Sequence, residues 1–552
     1  MSDKQQRALD SLYALDNVLT IRITMPQRDW DAVRTEQPAG GRCNFDWTGG
    51  SRFTWRKAPS VEISGTHFPA RTTFSDVGVK KKSFCGSFRN DKPCLHIDFG
   101  RFSEANITPI EALIGSRYLT LNNSVQDRSY VRQPLAYTLL DMAGLPHSRC
   151  NFARVFVNGK LIGEGVNGVS GPGVYVNAEP IMKRYIERNF NGNTRGNLYE
   201  LESGDDLVKD RLRFIATESL SKFEDQADLK FAIDHIAGHG VVGAAQVIDL
   251  DQFIKLYAME FYLKHWDGYT GNTNNTYLYN DVDAVKAPGL GNVKFKLIPW
   301  GVDQTLKPKR SFRIRDEGLI AKLVRNDPAR RAQLINQIRV YREMVFGREV
   351  QEATLTPMID KMETLLVGLG VPDAGAQIAT VRRQLRLAES AGYLCGGLPT
   401  TGAVHILDGE TDECLHASNT EMLPEGTTRP LNFEVYHRPL PENEDKADLW
   451  FVNDLGSGKS ITSQAYSRVL HASDTLVSGQ GHKLLYTGPP NNNDHAEEFS
   501  IVGVDSDEFN FSGYFKLTSS RTRLSPTYGP DTTPAGRPRV HQDSDGSKLY
   551  FY

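Results

Sequence analysis

The alternation of apolar and polar positions along the chain changes character near residue 180. Before that point, short alternating runs such as VLTIRITM and CLHIDF predict strands, and RVFVNGKLIG predicts a hairpin that turns at Asn158-Gly159. Beyond it, apolar residues recur at helical spacing over 180–189, 249–266, 316–346, 349–368 and 374–392. We therefore predict a β-rich lobe over residues 1–180 and a helical lobe over residues 181–395.

A third region, residues 403–552, follows the Gly/Pro/Thr-rich segment CGGLPTTGAV and shows no helical spacing. Within it CLHASNTEMLPEG at 414–426 resembles VLHASDTLVSGQG at 469–481, and FKLTSSRTRLSPTYG at 515–529 is a weaker third copy. Repeats spaced by roughly 45–55 residues in an all-β segment favour three hairpin units, as in a β-trefoil. An irregular β-sandwich is the alternative.

Composition and charge narrow the classes of protein to which this chain can belong. A chain of 552 residues with 39% hydrophobic content is long enough for two or three domains. Its 64 Lys and Arg against 67 Asp and Glu give a net charge of -3, so nothing indicates a nucleic-acid partner. No stretch reaches the ~18 apolar residues of a membrane helix, and no secretion signal is evident. We expect a globular, soluble protein that is cytoplasmic by default.

The cysteines do not indicate a metal site. There are six of them, few for this length, and none forms a CxxC motif. A zinc site is therefore not predicted, and a disulfide scaffold is not indicated. The sequence leaves open whether individual cysteines pair.

The segment KHWDGYTGNTNNTYLYN, residues 264–280, places one acid and four asparagines between a helical run and a strand. The preceding run DLDQFIKLYAMEFYLKHW predicts a buried helix. TYLYN and VKFKLIP predict a hairpin, and its second strand returns beside the first and brings WGVDQT back to the turn. Asp267 and Asp303 are therefore predicted to converge, with Asn272 and Asn275 between them.

The residue types at this turn suit a hard divalent cation, since Mg²⁺ is usually held by one or two carboxylates together with nucleotide phosphates. The five-residue interval from Asp267 to Asn272 equals that between the acid and the asparagine of the protein-kinase catalytic loop. Asp303, which follows the hairpin in the sequence, corresponds to the second metal-binding aspartate of protein kinases. We therefore predict a magnesium–nucleotide site. The alternative is a polar turn whose asparagines satisfy backbone groups and whose acid caps a helix.

Seven blocks stand in a fixed order between about residues 60 and 305: VGVKKKSFCGSF with KPCLHIDF, YLTLNNSVQDRSYVRQPLAYTLLDMAGLP, RVFVNGKLIG, GVYVNAEPIMKRYIERNF, GNLYELE, HWDGYTGNTNNTYLY and LIPWGVD. In this order they resemble the CotH-type spore-coat protein kinases. The resemblance implies an α+β fold with an atypical two-lobed protein-kinase-like domain, here followed by the β-trefoil-like domain. It also implies transfer of a phosphoryl group from ATP, with Mg²⁺ or Mn²⁺, to a hydroxyl of a protein substrate of unknown identity.

The resemblance also assigns roles to individual positions. It makes Asp267 the catalytic acid and gives the metal to Asp303, Asn272 and Asn275. The positions implied to bind the nucleotide are Lys92, Lys80, Lys82, Gly86, Ser87, Arg132 and Glu179. Lys92 is the first candidate for the lysine that contacts the phosphates. The alternative for each of these lysines is a solvated side chain on a strand.

Two positions depart from the family pattern. Where the family usually has Pro-Trp-Asp-x-Asp, this chain has PWGVD, so Gly301 replaces a possible metal-binding acid. Where the family commonly has Arg-Glu, this chain has Arg132-Gln133. Two alternatives to a protein kinase follow. One is a catalytically weak pseudokinase scaffold whose trefoil binds a partner, and the other is a kinase-fold enzyme with a different ATP-dependent transfer.

Three further motifs support narrower predictions. The basic segment LKPKRSFRIR, residues 306–315, directly follows Asp303 and suits a phosphate or an acidic peptide, with solvated surface as the alternative. GSGKS at 456–460 lacks the first glycine of a phosphate loop and is interpreted as a turn. His416 and His471 occupy matching positions of the repeats and are predicted to be structural.

Overall fold

The computed structural model describes residues 2–219, 224–282, 287–396, 402–422, 433–441, 445–477, 483–490, 495–504, 510–511, 513–532 and 537–552. The chain divides into two compact units. The first comprises Met1–Pro308, Ile314–Gln337 and Val350–Arg382, and the second comprises Lys309–Arg313, Ile338–Glu349 and Arg383–Tyr552. The predicted β-rich lobe falls within the first unit, whereas the predicted helical lobe is shared between the two units, so the separation into two lobes stays a prediction. The chain is of mixed α and β structure, as predicted.

A closed β-barrel forms the N-terminal part of the first unit. Its strands are β1 (Leu19–Thr24), β2 (Arg56–Gly65), β3 (Phe68–Lys81), β4 (Leu95–Asp98), β5 (Tyr118–Asn122), β6 (Cys150–Val157), β7 (Lys160–Leu161) and β8 (Val174–Ala178). They pair in the order β1-β2-β3-β4-β5-β8-β6-β7, and a parallel pairing of β6 with β1 closes the ring. In β1, Leu19, Ile21 and Ile23 are buried and Arg22 is only half-buried, the alternation that the sequence predicts.

A four-stranded antiparallel sheet follows in the first unit. It contains β9 (Leu198–Leu201), β10 (Ala216–Ser219), β11 (Thr276–Asn280) and β12 (Phe295–Pro299), in the order β10-β9-β11-β12. β11 pairs with β12 from Thr276 opposite Pro299 to Asn280 opposite Phe295. The predicted hairpin is therefore confirmed, and both of its ends adjoin the candidate site.

Thirteen α-helices lie within the described residues. They are α1 (Asp3–Leu12), α2 (Gln27–Thr35), α3 (Ile107–Ile114), α4 (Arg132–Met142), α5 (Lys183–Asn189), α6 (Ala227–Val247), α7 (Leu250–Leu263), α8 (Tyr269–Asn272), α9 (Leu319–Asn326), α10 (Pro328–Met344), α11 (Arg348–Val350), α12 (Thr356–Gly368) and α13 (Ala374–Gly396). The sequence does not predict α6, because three glycines interrupt it and its apolar residues do not keep to one face. Among the described residues, no helix has both the length and the apolar character that a membrane crossing requires.

The second unit contains a closed ring of six strands and three hairpins. The ring strands are β14 (Val404–Asp408), β17 (Leu449–Asp454), β18 (Lys459–Ser463), β21 (Phe499–Gly503), β23 (Phe515–Ser519) and β26 (Leu549–Phe551). The hairpin strands are β15 (Glu413–Glu421), β16 (Phe433–Pro439), β19 (Val469–Val477), β20 (Lys483–Gly488), β24 (Ser525–Thr532) and β25 (Pro538–Asp543). A separate short pair joins β13 (Phe312–Arg313) to β22 (Asn510–Phe511).

The pairings in this unit distinguish a trefoil from a sandwich. The six ring strands pair in the closed order β14-β17-β18-β21-β23-β26 and back to β14. The hairpin strands β16, β20 and β25 also pair with one another. A six-stranded barrel with three mutually paired hairpins is the strand arrangement of a β-trefoil, as the three repeats predict.

The weaker motifs of this unit have structural positions. His416 and His471 are both buried on the first strand of a hairpin, and their rings lie 4.5 Å from that of Tyr436 and 5.0 Å from that of Tyr486. GSGKS begins in the turn between β17 and β18, where Leu455 donates its backbone N–H to Gly458. Both histidines are therefore part of the packing, and the prediction of a turn is confirmed.

A disulfide joins Cys43 to Cys85, 42 positions apart. It ties the loop before β2 to the turn that follows β3. In a chain-entropy estimate, a loop of this length contributes up to about 4 kcal/mol to stability. Cys94, Cys150 and Cys414 are free and buried.

Candidate functional site

The turn that follows α7 receives the segment that follows β12. Leu306 donates its backbone N–H to the carbonyl of Leu263 at 2.7 Å, and Trp300 donates to the carbonyl of Asn275 at 2.8 Å. Two backbone hydrogen bonds therefore anchor residues 300–306 against the turn. The two segments therefore meet as the predicted hairpin requires, and the convergence of the Asp267 and Asp303 side chains stays a prediction.

Asp267 is half-buried at the centre of this turn. Its Oδ1 accepts hydrogen bonds from the Nδ2 atoms of Asn272 at 2.7 Å and Asn274 at 3.1 Å. Its Oδ2 accepts one from Nδ2 of Asn275 at 3.0 Å. Three amide donors thus fix the orientation of one carboxylate, and the amide oxygens of the asparagines are left as candidate metal ligands. Asn274 is not among the predicted site residues, although it lies within the same polar run.

Glu260, on α7, is a site-supporting residue that the sequence analysis does not identify. Its Oε2 accepts hydrogen bonds from the backbone N–H of Thr270 at 2.9 Å and from Oγ1 of Thr270 at 2.5 Å, and its Oε1 accepts one from the N–H of Tyr269 at 3.2 Å. These bonds hold the start of α8, whose last residue is Asn272. The only signal in the sequence is an acid within an otherwise apolar helix, here 3% exposed.

Gly301 has a backbone conformation that favours glycine, with φ +57°. A Cβ at this position would lie 2.1 Å from Oδ1 and 2.4 Å from Cγ of Asn275. The side chain of Asn275 cannot simply move aside, because it donates to Asp267. The local packing of this chain therefore favours glycine at the position where the family pattern has an acid.

Asp303 lies in a short turn, Val302–Gln304, and is half-buried. Its Oδ2 is 3.5 Å from Nδ2 of Asn122, which donates at the shorter distance of 3.1 Å to Oε1 of Gln133. Burial, with a smaller contribution from the negative charge of Asp127, raises the pKa of Asp303 to about 6. A carboxylate that is costly to ionise is stabilised by a bound cation.

Arg132 is buried beside this acid and forms an ion pair with Asp127. Its Nη1 donates to Oδ1 of Asp127 at 2.5 Å, and its backbone N–H donates to Oδ2 at 3.0 Å. The start of α4 is therefore fixed by a carboxylate that also influences Asp303. Arg132 lies near the predicted metal ligand, with its guanidinium bonded to Asp127.

The turn at Gly86-Ser87 lies beside the same region. A Cβ on Gly86 would lie 2.4 Å from Nε2 of Gln126, and the carbonyl of Ser87 accepts a hydrogen bond from Nδ2 of Asn123 at 2.9 Å. Nζ of Lys307 donates to the carbonyl of Gln126. The predicted phosphate-facing turn and the segment of Asp303 are therefore linked through Gln126.

Lys92 is 1% exposed and does not share these contacts. Its Nζ donates to the hydroxyl of Tyr130 at 2.5 Å and to the carbonyl of Ser170 at 2.8 Å. Burial lowers the pKa of Lys92 to about 7. Its partners are 38 and 78 positions away in the chain, so no local pattern in the sequence indicates them.

Lys80 and Lys82 lie on one face, as their alternation predicts. Nζ of Lys80 lies 4.7 Å from the ring centroid of Trp55, and Nζ of Lys82 lies 4.9 Å from that of Trp300. Trp300 immediately precedes Gly301. Lys82 therefore reaches the segment that carries Asp303.

Glu179 is 2% exposed and bound by two arginines. Its Oε1 accepts from Nη2 of Arg149 at 2.8 Å, and its Oε2 accepts from Nη2 of Arg188 at 2.7 Å. Both carboxylate oxygens therefore already have charged partners. Among the described residues, the contacts of Glu179 do not include the other predicted site residues.

Glu200, on β9, is a second acid that the sequence analysis does not identify. It accepts a hydrogen bond from the hydroxyl of Tyr277 at 2.7 Å. Burial and the negative charge of Glu218 raise the pKa of Glu200 to about 7, and the positive charge of Lys82 opposes the rise. The acid sits in an ordinary strand pattern, so nothing in the sequence distinguishes it.

The donors at the turn fit a hard cation. The carboxylate of Asp303 and the amide oxygens of Asn272 and Asn275 are the ligand types of Mg²⁺ and Mn²⁺. Within the described part of the chain, the side-chain hydrogen-bond partners of Asp267 and Asp303 are asparagines. The donor set is thus consistent with the predicted metal.

Three solved structures show weak similarity to this chain. A designed 3-fold symmetric protein, ThreeFoil, is 15% identical over 27% of this chain and 98% of its own, with a TM-score of 0.21. A ricin B-like lectin of Macrolepiota procera in complex with lactose is 12% identical over 28% of this chain and 96% of its own, with a TM-score of 0.20. An SDF2-like protein of Arabidopsis thaliana is 12% identical over 27% and 91%, with a TM-score of 0.23. At these TM-scores, none of the three bears on the fold or the ligands of this chain.

Comparison with families of known sequence is more informative. No curated protein matches the chain. The family described as CotH kinase protein matches residues 84–373, more than half of the chain, and the matched region includes Asp267, Asp303 and the Gly86-Ser87 turn. The predicted resemblance is confirmed, and the chain belongs to the CotH kinase protein family.

Proposed function

We propose that the protein is a phosphotransferase of the CotH type, which moves a phosphoryl group from metal-bound ATP to a hydroxyl of a protein substrate. The observation that carries this proposal is the meeting, at one turn, of Asp267 held by three asparagine amides and the segment of Asp303. Membership of the CotH kinase protein family supports it. Phosphoryl transfer depends mainly on positioning and charge neutralisation, and fixed carboxylates suit both tasks.

Each residue has a specific role in this proposal. Asp267 orients the acceptor hydroxyl and accepts its proton, while Asp303 and the amide oxygens of Asn272 and Asn275 hold the metal. The bound metal neutralises negative charge on the phosphates. Lys82, and not the buried Lys92, faces the nucleotide, because Nζ of Lys92 is bonded to Tyr130 and Ser170.

The direct test is thermal or urea denaturation of the wild-type protein with ATP and Mn²⁺ or Mg²⁺. At about 100 times the dissociation constant, the ligand should add about 2.7 kcal/mol to the free energy of unfolding of the unit that binds it. ATP with EDTA is the control and should give a much smaller shift, because the carboxylates repel unscreened phosphates. A well-folded protein that shows no shift with either metal would contradict the proposal.

A second candidate function is a nucleotide-binding or partner-binding scaffold that does not transfer phosphate. The observation that favours it is Gly301, which stands where the family has an acid and whose Cβ would collide with Asn275. Such a scaffold gives no labelled product from ATP, whereas the first proposal requires one. Product formation therefore distinguishes the two functions.

Restoring the family acid by Gly301→Asp should destabilise the protein and not increase its affinity for metal–ATP. A non-glycine residue at φ +57° costs about 1–2 kcal/mol, and the Cβ must also displace Asn275 from Asp267. Urea denaturation measures the first effect, and nucleotide titration measures the second. The double variant Gly301→Asp with Asn275→Gly is the control for stability alone, because it removes the collision together with a proposed metal ligand. A stable single variant with tighter metal binding would contradict the conclusion that the packing around Gly301 does not accommodate an acid.

A further inference from the structure

The geometry assigns Lys307 as the cation that contacts the phosphates of a nucleoside di- or triphosphate. This inference rests on the proposed function, because it places the nucleotide at the turn of Asp267 and Asp303. It goes beyond the assignments made from the sequence, in which Lys307 belongs only to a basic segment. Lys307 is half-buried, whereas Lys309 and Arg310 after it are exposed.

The backbone holds Lys307 in a defined position. Leu306 has φ +51° and donates its N–H to the carbonyl of Leu263 at the end of α7. The residue that follows is thereby directed away from α7 and toward Gln126, whose carbonyl accepts a hydrogen bond from Nζ of Lys307. The side chain of Gln126 in turn lies against Gly86. Lys307 therefore connects the predicted phosphate-facing turn to the segment of Asp303.

The charges around Lys307 suit a phosphate. The groups that influence its ammonium are Arg132, Asp127 and Asp303. Arg132 and Asp127 neutralise each other in a buried pair, and a metal bound at Asp303 would neutralise that acid. The ammonium then has only the carbonyl of Gln126 as a partner among its described hydrogen bonds, and two of its three protons are available to an anion.

Three buried cations near the site already have hydrogen-bonded partners. Lys92 is bonded to Tyr130 and Ser170, and Lys81 is bonded to the carbonyls of Arg34 and Glu36 and to Asn90. The guanidinium of Arg132 is bonded to Asp127. Lys82, which the proposed function places toward the nucleotide, lies over the face of Trp300 and not at the Gly86 turn. Lys307 is thus the lysine that the contacts place between the Gly86 turn and Asp303.

The test compares the binding of MgADP and of adenosine by isothermal titration calorimetry on the full chain. Lys307→Met should weaken MgADP about 10- to 100-fold, the range for a hydrogen bond to a charged group, and leave adenosine unchanged because adenosine has no phosphate. Lys307→Arg should retain most of the MgADP affinity. Lys309→Met, an exposed lysine two positions along the chain, should bind both ligands like the wild type.

Three results would overturn the assignment, and they have different meanings. If Lys307→Met binds MgADP within twofold of the wild type, Lys307 does not contact phosphate even though the proposed nucleotide site stands. If the variant loses adenosine as well as MgADP, or unfolds at a lower temperature without ligand, its role is in packing. If the wild type binds neither MgADP nor adenosine, the proposed function itself fails.

Discussion

Asp303→Asn should make the ligand-free protein more stable near neutral pH and abolish its response to metal and ATP. The two effects have opposite signs because the same burial that makes Asp303 a costly anion makes it a good partner for a cation. Stability that is given up at a binding site in this way returns when the charge is removed. A carboxylate with a purely structural role would instead lose stability on the same substitution.

The sign of the stability effect follows from the pKa of Asp303. It is raised from 3.8 in the unfolded chain to about 6 in the folded protein, so the folded state holds the proton more tightly. The protein therefore loses stability as the pH rises from about 4 to about 6, and the penalty is fully present at pH 7.5. Asparagine cannot ionise, so the variant should gain on the order of 2 kcal/mol at pH 7.5 and little at pH 4.

The measurement is urea denaturation at pH 4 and pH 7.5, with and without ATP and Mn²⁺. Asp316→Asn is the matched control, because Asp316 is a half-buried carboxylate that pairs with Arg325 at 2.6 Å and should lose stability on neutralisation. The control should keep the full ligand response. A gain for Asp303→Asn that is equal at both pH values would contradict the raised pKa of Asp303, whereas a surviving metal-dependent shift would remove Asp303 from the metal site.

The sequence predicts the secondary-structure elements that surround the site, because each of them depends on a local pattern. α7, the polar turn and the hairpin β11–β12 are each encoded by residue periodicity and turn chemistry, and a hairpin must return its chain to its starting point. The hydrogen bond from Trp300 to Asn275 is the direct consequence. The β-trefoil was likewise predictable, because its three repeats are visible in the sequence.

The remaining contacts could not be predicted, because they join residues that are far apart in the chain. The closure of the first barrel pairs Leu19 with Ala153, and the disulfide joins Cys43 to Cys85. The partners of Lys92 and Glu179 are equally remote. Burial and ion pairing depend on such tertiary neighbours, whereas composition and spacing report only the residue types that are available.

Asp267→Asn should reduce phosphoryl transfer at least 100-fold and leave the affinity for metal–ATP within about threefold of the wild type. General-base catalysis by a positioned side chain typically contributes 10²–10⁴-fold, and an amide cannot accept the proton of the acceptor hydroxyl. The fold should survive, because asparagine has nearly the shape of aspartate. Its amide oxygen can still accept from Asn272 and Asn274, while its amide nitrogen faces Asn275, whose side-chain amide must rotate.

Transfer is measured in single-turnover reactions with ATP labelled on its terminal phosphate, with the protein itself as acceptor and with the product identified by mass. Asp251→Asn, an exposed acid in the first turn of α7, is the matched control and should transfer at the wild-type rate.

An Asp267→Asn variant that transfers as fast as the control would remove Asp267 as the base. A product that carries the nucleotidyl group would assign the same site to another ATP-dependent transfer, and no product from the wild type would favour the scaffold. Because the three asparagine amides hold Asp267 in the absence of ligand, the loss should appear in the rate of transfer and not in ATP binding.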